Sequence, residues 1–195
     1  MARIGFVRSV IQYYKNMNRL KEKYEKELVA KLKKKFSFEN DFQVPKVLKV
    51  VLNSGTGKIA KDVALVDSIV KDMTAISGQK SVKVKAKKSI AAFKLREGTD
   101  IGVRVTLRGA KMYDFIDRLV SLSLPRTRDF RGLEIKNIDE HGNLTIGIKE
   151  QIVFPEINQD SARGIFGLQV TVVTSNKDRV VSEELFRLLG FPLKK

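Results

Sequence analysis

The chain has 195 residues, 43% of them apolar and 8% aromatic, so it is long enough to bury a core and too apolar for a disordered tail. It carries 38 Lys and Arg against 22 Asp and Glu, a net charge of +16, with one histidine and no cysteine. That composition excludes a disulfide framework, a zinc ribbon and a cysteine nucleophile, and it fits a reducing compartment. No apolar run reaches the roughly 18 residues of a membrane helix.

The charge is concentrated. Residues 1–35 and 78–111 each carry a net +8, while the segments between and after them are close to neutral. Solubility alone would spread charge; a polyanion partner gathers it.

In chain order, residues 1–16 contain no acid, and Ile4, Val7, Ile11 and Tyr14 recur at helical spacing. This stretch reads as a basic N-terminal extension, with an organelle transit peptide as the alternative. From Met17 the apolar stripe continues through Leu20, Tyr24, Leu28, Leu32 and Phe36, with lysines on the other faces. That predicts one amphipathic helix whose cationic last turn suits the helix dipole. SFENDFQ is a loop, and KVLKVVLN, after Pro45, is a strand. An SGTG turn follows. A helix is then expected from about Ile59 to Ser77, closed by Gly78.

Gly78 to Gly109 is the most distinctive stretch. Lys80, Lys83, Lys85, Lys87, Lys88, Lys94 and Arg96 fall there without an acid among them. Val82 and Val84 alternate with lysines before the loop, and Val103, Val105 and Leu107 alternate with polar residues after it. The pattern predicts two strands flanking a long basic loop. Met112, Phe115, Ile116, Leu119 and Val120 mark the next helix, stopped by Pro125. An arginine-dense loop follows, with Arg126, Arg128 and Arg131, and Phe130 as its anchor on the core. LTIGIKEQIVF is one or two strands, GLQVTVVT another, and Asp178 to Leu189 a last helix. The fold class is therefore α+β: a largely antiparallel sheet, helices packed on one face, and a long basic β-hairpin arm. The other face of the sheet is left for a partner.

Enzyme chemistry finds little support. Leu52 and Ile59 stand where a Walker A loop needs glycine and a hydroxyl. Gly55, Gly57 and Ala60 match a dinucleotide fingerprint, but no acid occurs from Met73 to Arg96 to hold a ribose. The better reading of SGTG is backbone N–H groups at a helix N-terminus meeting an RNA phosphate. His141 lies in the turn DEHGN with no nucleophile marked nearby, and the surrounding carboxylates read as a charged surface loop. No catalytic residue, metal or cofactor is expected.

The runs QVPKVLKVVLN, SGQKSVKVKAKKSIAAFKLREG, IGVRVTLRG, LPRTRDFRGL, GNLTIGIKEQIVFPEI and LLGFPLKK resemble, in this order, the universal ribosomal large-subunit protein five family in its bacterial-type form. The resemblance covers residues 17–195, taken as a single domain after the extension 1–16. It implies a structural protein that binds 5S ribosomal RNA and anchors it in the central protuberance. The partners implied are 5S RNA, 23S-type RNA, transfer RNA in the peptidyl site, small-subunit ribosomal protein thirteen and neighbouring large-subunit proteins. No membrane is among them, and the location is a cytoplasmic ribosome, with an organellar ribosome as the alternative if residues 1–16 are a targeting segment.

Residue by residue, the resemblance assigns 5S RNA contact to Gln43, Lys46, Asn53, Gly55, Thr56, Gly57, Thr106 and Arg108. It assigns the transfer-RNA arm to Gln79, Lys80, Lys83, Lys85, Lys87, Lys88, Ser89 and Lys94. It assigns an intersubunit bridge loop to Arg131, Glu134, Asp139, His141 and Asn143. The chain departs from the family's D-G-R-G-N at Asp139-Glu140-His141-Gly142-Asn143, replacing a basic residue and adding an acid.

Overall fold

A computed structural model describes residues 19–60, 62–157 and 164–194. The extension 1–16 lies outside them. The N-terminal apolar stripe folds as helix α1, with α-helical segments Arg19–Lys23 and Val29–Phe36 joined by a π-helical turn Tyr24–Leu28. Apolar residues spaced by four drift about 40° per step around an ideal helix. The wider π turn takes up part of that drift, and Leu20, Leu28 and Leu32 all end up buried.

Five strands follow: β1 Val47–Gly55, β2 Val82–Lys85, β3 Asp100–Leu107, β4 Leu144–Ile148 and β5 Leu168–Thr174. They form one antiparallel sheet in the order β2-β3-β1-β5-β4. Strand alternation sets its two faces. Val50, Leu52, Val103, Val105, Leu107, Val170, Val172, Leu144 and Ile146 are buried against the helices. A bulge between Val47 and Lys49 turns Leu48 outward and leaves Lys49 in phase with Val51 and Asn53 on the opposite face.

Helix α2, Val63–Ser77, is capped by the Asp62 carboxylate, which accepts from Leu65 N–H at 3.0 Å. It buries Val66, Ile69, Met73 and Ile76 and ends at Gly78, whose φ is 64°. It starts later than the sequence predicts. Gly57–Ile59 is a separate 3₁₀ turn with Thr56 at its N-cap, so the SGTG glycines precede a single 3₁₀ turn rather than the N-terminus of α2. Helix α3 runs Gly109–Arg118, continues through a π turn Leu119–Ser123, and ends in Leu124–Arg126 around Pro125. Helix α4, Arg179–Leu188, closes the core with Leu185 and Phe186, capped by Asp178.

The α+β class and antiparallel sheet stand. The hairpin, however, is short. Regular pairing ends at Lys85 opposite Asp100. Beyond it the chain folds back on itself: Ala86 is buried, its N–H donates to Thr99 O at 2.8 Å, and its carbonyl accepts from Gly98 N–H at 3.0 Å. An isolated bridge pairs Ile90 with Leu95 around the 3₁₀ turn Ala91–Phe93. The basic stretch forms a knuckle beyond the four-residue β2, its two limbs joined by irregular bonds as far as the Ile90–Leu95 bridge.

Candidate nucleic-acid interface

The face of the sheet turned away from the buried core side is built by register. Asn53 stands opposite Arg104 on one side and Gln169 on the other, and Arg104 and Gln169 in turn face Val82 and Gly147. The next row joins Thr106, Val51, Thr171 and Thr145. These two rows place an arginine, two amides and three threonine hydroxyls side by side, all exposed or half-exposed. Hydroxyls and amides both donate and accept, which suits bases, ribose 2′-OH groups and phosphates alike. Lys49 lies in the same phase and makes no ion pair among the described residues.

Of the expected 5S RNA residues, the structure places Asn53 and Thr106 in these rows. Gly55 and Gly57 are exposed at one end of β1. Gln43 and Lys46 are exposed where the chain enters β1, and Arg108 is exposed just past β3. Thr56 differs. It is fully buried, its N–H donates to Ile101 O at 2.9 Å and its hydroxyl to Asp100 O at 3.4 Å, so its side chain faces the protein. Sequence reasoning overlooked Arg104, Gln169, Thr171 and Thr145. Only the strand register reveals them, because nothing local distinguishes them from other polar strand residues.

The arm residues separate into a root and a tip. Gln79 belongs to the root: its Nε2 donates to Thr106 O at 3.3 Å, beside the open face. Ser81 is buried, with Oγ donating to Val70 O at 2.9 Å and N–H donating to Thr74 Oγ1 at 3.2 Å. Lys83 Nζ lies 2.6 Å from Asp67 and 3.6 Å from Asp100. The hydrogen bond to Asp67, the charges of both acids and a bond to Asp100 together hold its ammonium above the usual lysine range. Lys80, Lys85, Lys87, Lys88 and Lys94 are exposed and make no ion pair among the described residues. Ser89 is exposed, and its hydroxyl accepts from Glu97 N–H at 2.9 Å.

The bridge-loop residues are held by the C-terminal segment. Leu133 N–H donates to Pro192 O and Lys194 N–H to Leu133 O, each at 2.8 Å. Glu134 pairs with Lys136 and Lys194, and the Lys136 hydrogen bond lowers its carboxyl pKa. Asp139 organises the turn by accepting from His141 N–H at 3.0 Å, Asn143 N–H at 2.7 Å and Asn143 Nδ2 at 2.9 Å. Burial pushes its carboxyl up, but these hydrogen bonds outweigh burial and hold it below the usual range. Arg131 and His141 are exposed. Phe130 packs on the core as expected.

Among the described residues there is no group of His, Cys, Asp and Glu able to hold a metal, and no helix is long and apolar enough to cross a membrane. The fold and its polar open face thus define a basic α+β binding protein built around one sheet. The family model "Ribosomal protein L5" matches residues 40–96, and the model of the same ribosomal family's C-terminus matches residues 100–193. Large ribosomal subunit protein uL5 of Geobacter sulfurreducens and that of Pelobacter propionicus are each 51% identical over 178 residues, 91% of this chain and 99% of theirs. The chain belongs to the ribosomal protein L5 family, a family of structural rather than catalytic proteins.

Proposed function

We propose that the protein is the 5S RNA-anchoring member of the large ribosomal subunit. Family membership makes it a structural constituent of that subunit, working at the cytoplasmic ribosome among ribosomal RNA and other ribosomal proteins. The open sheet face is the surface for 5S RNA, placing that RNA in the central protuberance against 23S-type RNA. The observation that carries this reading is the pair of cross-strand rows through Asn53 and Thr106, polar and, among the described residues, not covered by a helix. Cations beside the rows supply sequence-independent affinity, while the amides and hydroxyls read RNA shape, unpaired bases and the 2′-OH.

The exposed lysines of the knuckle contact transfer RNA in the peptidyl site. They do so without reading bases, since every transfer RNA must be accepted. The loop from Arg131 to Asn143 reaches small-subunit ribosomal protein thirteen. Residues 17–195 act as one RNA-binding unit, with residues 1–16 a basic extension to it.

Filter binding of the purified chain at moderate salt tests the central claim. 5S RNA should bind far more tightly than a transfer RNA or a duplex DNA of similar length. Equal affinities would point instead to a generic nucleic-acid binder. A clear thermal shift with ATP or NAD would revive a nucleotide site.

A further inference from the structure

We propose that Phe42 is a stacking platform for one unpaired base of the bound RNA, an inference that rests on the RNA-binding reading above. Phe42 is 99% exposed, the most exposed of the large apolar side chains among the described residues. It sits at the centre of the 3₁₀ turn Asp41–Gln43 between α1 and β1.

The exposure does not come from a slack chain. Gln43 N–H donates to Asn40 O at 3.1 Å and Val44 N–H to Asp41 O at 3.2 Å, closing the turn. Val44 and Pro45 are buried directly after it, and Tyr24 Oη donates to Pro45 O at 2.9 Å. Lys33 Nζ grips Asp41 at 2.7 Å on the other side. The loop also has the means to bury an aromatic ring: Phe38 packs beside Phe36, with centroids 5.9 Å apart, and both rest on the core. Phe42 is held out on a pinned turn while its neighbour is tucked in.

Its surroundings favour a nucleobase over a protein surface. The carboxylate beside it, Asp41, is neutralised by Lys33, and Glu39 is the other nearby acid. Gln43, Lys34 and Lys46 are exposed, and the two lysines make no ion pair among the described residues. Lys46 leads along β1 into Lys49 and the polar rows. An exposed ring next to an amide in the chain, and four residues before an unpaired lysine at the entry to a polar sheet, matches how proteins hold splayed bases, with cations on phosphates and a ring on the base. Stacking needs no particular base, so Phe42 adds affinity for an unstacked nucleotide and leaves its identity to the amides and hydroxyls nearby.

The chain has no tryptophan, so Phe42→Trp introduces a single indole at the point of interest, excited selectively at wavelengths where the four tyrosines do not absorb. Titration with 5S RNA should quench its emission, and affinity should match or exceed that of the unaltered protein. Phe42→Ala and Phe42→Leu should each weaken binding about tenfold, because leucine keeps apolar bulk but has no ring face. Melting temperatures should not move, since the ring is almost wholly in water. Emission unchanged at saturating 5S RNA, or Phe42→Ala binding as tightly as the unaltered chain, overturns the proposal. Arg104→Ala in the same assay separates the two levels. If it weakens binding while the Phe42 variants do not, stacking fails alone; if neither changes 5S binding, the open-face reading fails with it.

Discussion

Arg104→Ala and Asn53→Ala, set against Thr56→Val, test whether the open face is where RNA is held. All three lie on or beside the same two strands, and the resemblance alone puts Thr56 with Asn53 among the RNA contacts. The structure separates them. Asn53 and Arg104 are cross-strand partners on the uncovered face, whereas Thr56 is fully buried and bonded to Asp100 O. Removing the Asn53 amide deletes a neutral hydrogen bond, about 1 kcal/mol or roughly fivefold in affinity. Removing the Arg104 guanidinium deletes a charge-assisted contact, about 2 kcal/mol or roughly thirtyfold. It should also lower the slope of log affinity against log salt by about 0.9, the share of one phosphate. Thr56→Val keeps the shape but leaves Asp100 O without its 3.4 Å partner. The bond is long, so the loss is about 1 kcal/mol of stability, roughly 2–4 °C in melting temperature for a chain of this size. Affinity measured well below the transition should be unchanged. Filter binding to 5S RNA over a salt series, with thermal melts in parallel, supplies both numbers. An Arg104→Ala protein with unaltered affinity and salt slope would refute the reasoning. So would a Thr56→Val protein that melts normally yet binds as poorly as Asn53→Ala.

Lys87 and Lys88 should behave unlike Lys83. Replacing Lys87 and Lys88 with methionine should leave 5S RNA affinity and melting temperature intact and weaken transfer-RNA retention on assembled ribosomes, with a shallower salt dependence. Lys83→Met should instead reduce hydrogen-exchange protection of β2, because its charge is engaged by Asp67 and Asp100; protection unchanged there would refute the latch. At the bridge turn, Asp139→Ala removes the acceptor of three donors, but those groups can rebond to water, so the loss is roughly 1 kcal/mol at neutral pH. The folded carboxyl titrates below its unfolded value, so this stability is present above about pH 4 and is lost as pH falls through the folded pKa. The gap in melting temperature between the two proteins should therefore hold steady from neutral pH down to about pH 5 and close below pH 4. A gap that widens on acidification would show that Asp139 acts otherwise.

Much of this fold is legible in the sequence because its signals are local. The Leu20–Leu32 stripe, the alternation in β1 and β3, Gly78 after α2 and Asp178 before α4 each report on a few neighbouring residues, and each element appears where its pattern lies. What the sequence hides is non-local. The face to which Arg104 and Gln169 belong depends on the pairing of three strands. The burial of Thr56 depends on β3 passing beside it. Lys83 looks like its neighbours in a run of lysines, yet its acids come from α2 and from the far side of the knuckle. Charge counting could not find that, since Asp67 and Asp100 lie outside the acid-free stretch. The extent of the regular arm was hidden for a related reason. Alternation shows that strands form but not where a regular ladder ends, and here the register shifts after Val84, the limbs stay joined irregularly through Ala86 and the Ile90–Leu95 bridge, and the chain reverses at Ala91–Phe93.

The basic knuckle and the polar sheet face are also mechanically joined. Gln79 reaches from the arm root to the carbonyl of Thr106, a residue of the open rows. Lys111, on α3, donates to Gly78 O at 3.2 Å on the other side of the same root. Ser81 and Thr74 tie β2 to α2, and Lys83 repeats that tie with charge. An arm meant only to supply diffuse cations would not need its entry fixed by hydrogen bonds to two helices and a strand. Fixing it there sets the direction in which Lys85, Lys87 and Lys88 are presented relative to whatever lies on the sheet. The lysines without an ion pair lie toward the tip, while Lys83 at the root is engaged by Asp67 and Asp100. RNA seated on the rows and a second polyanion at the knuckle would thus be held in a defined relation by the β2–β3 hairpin.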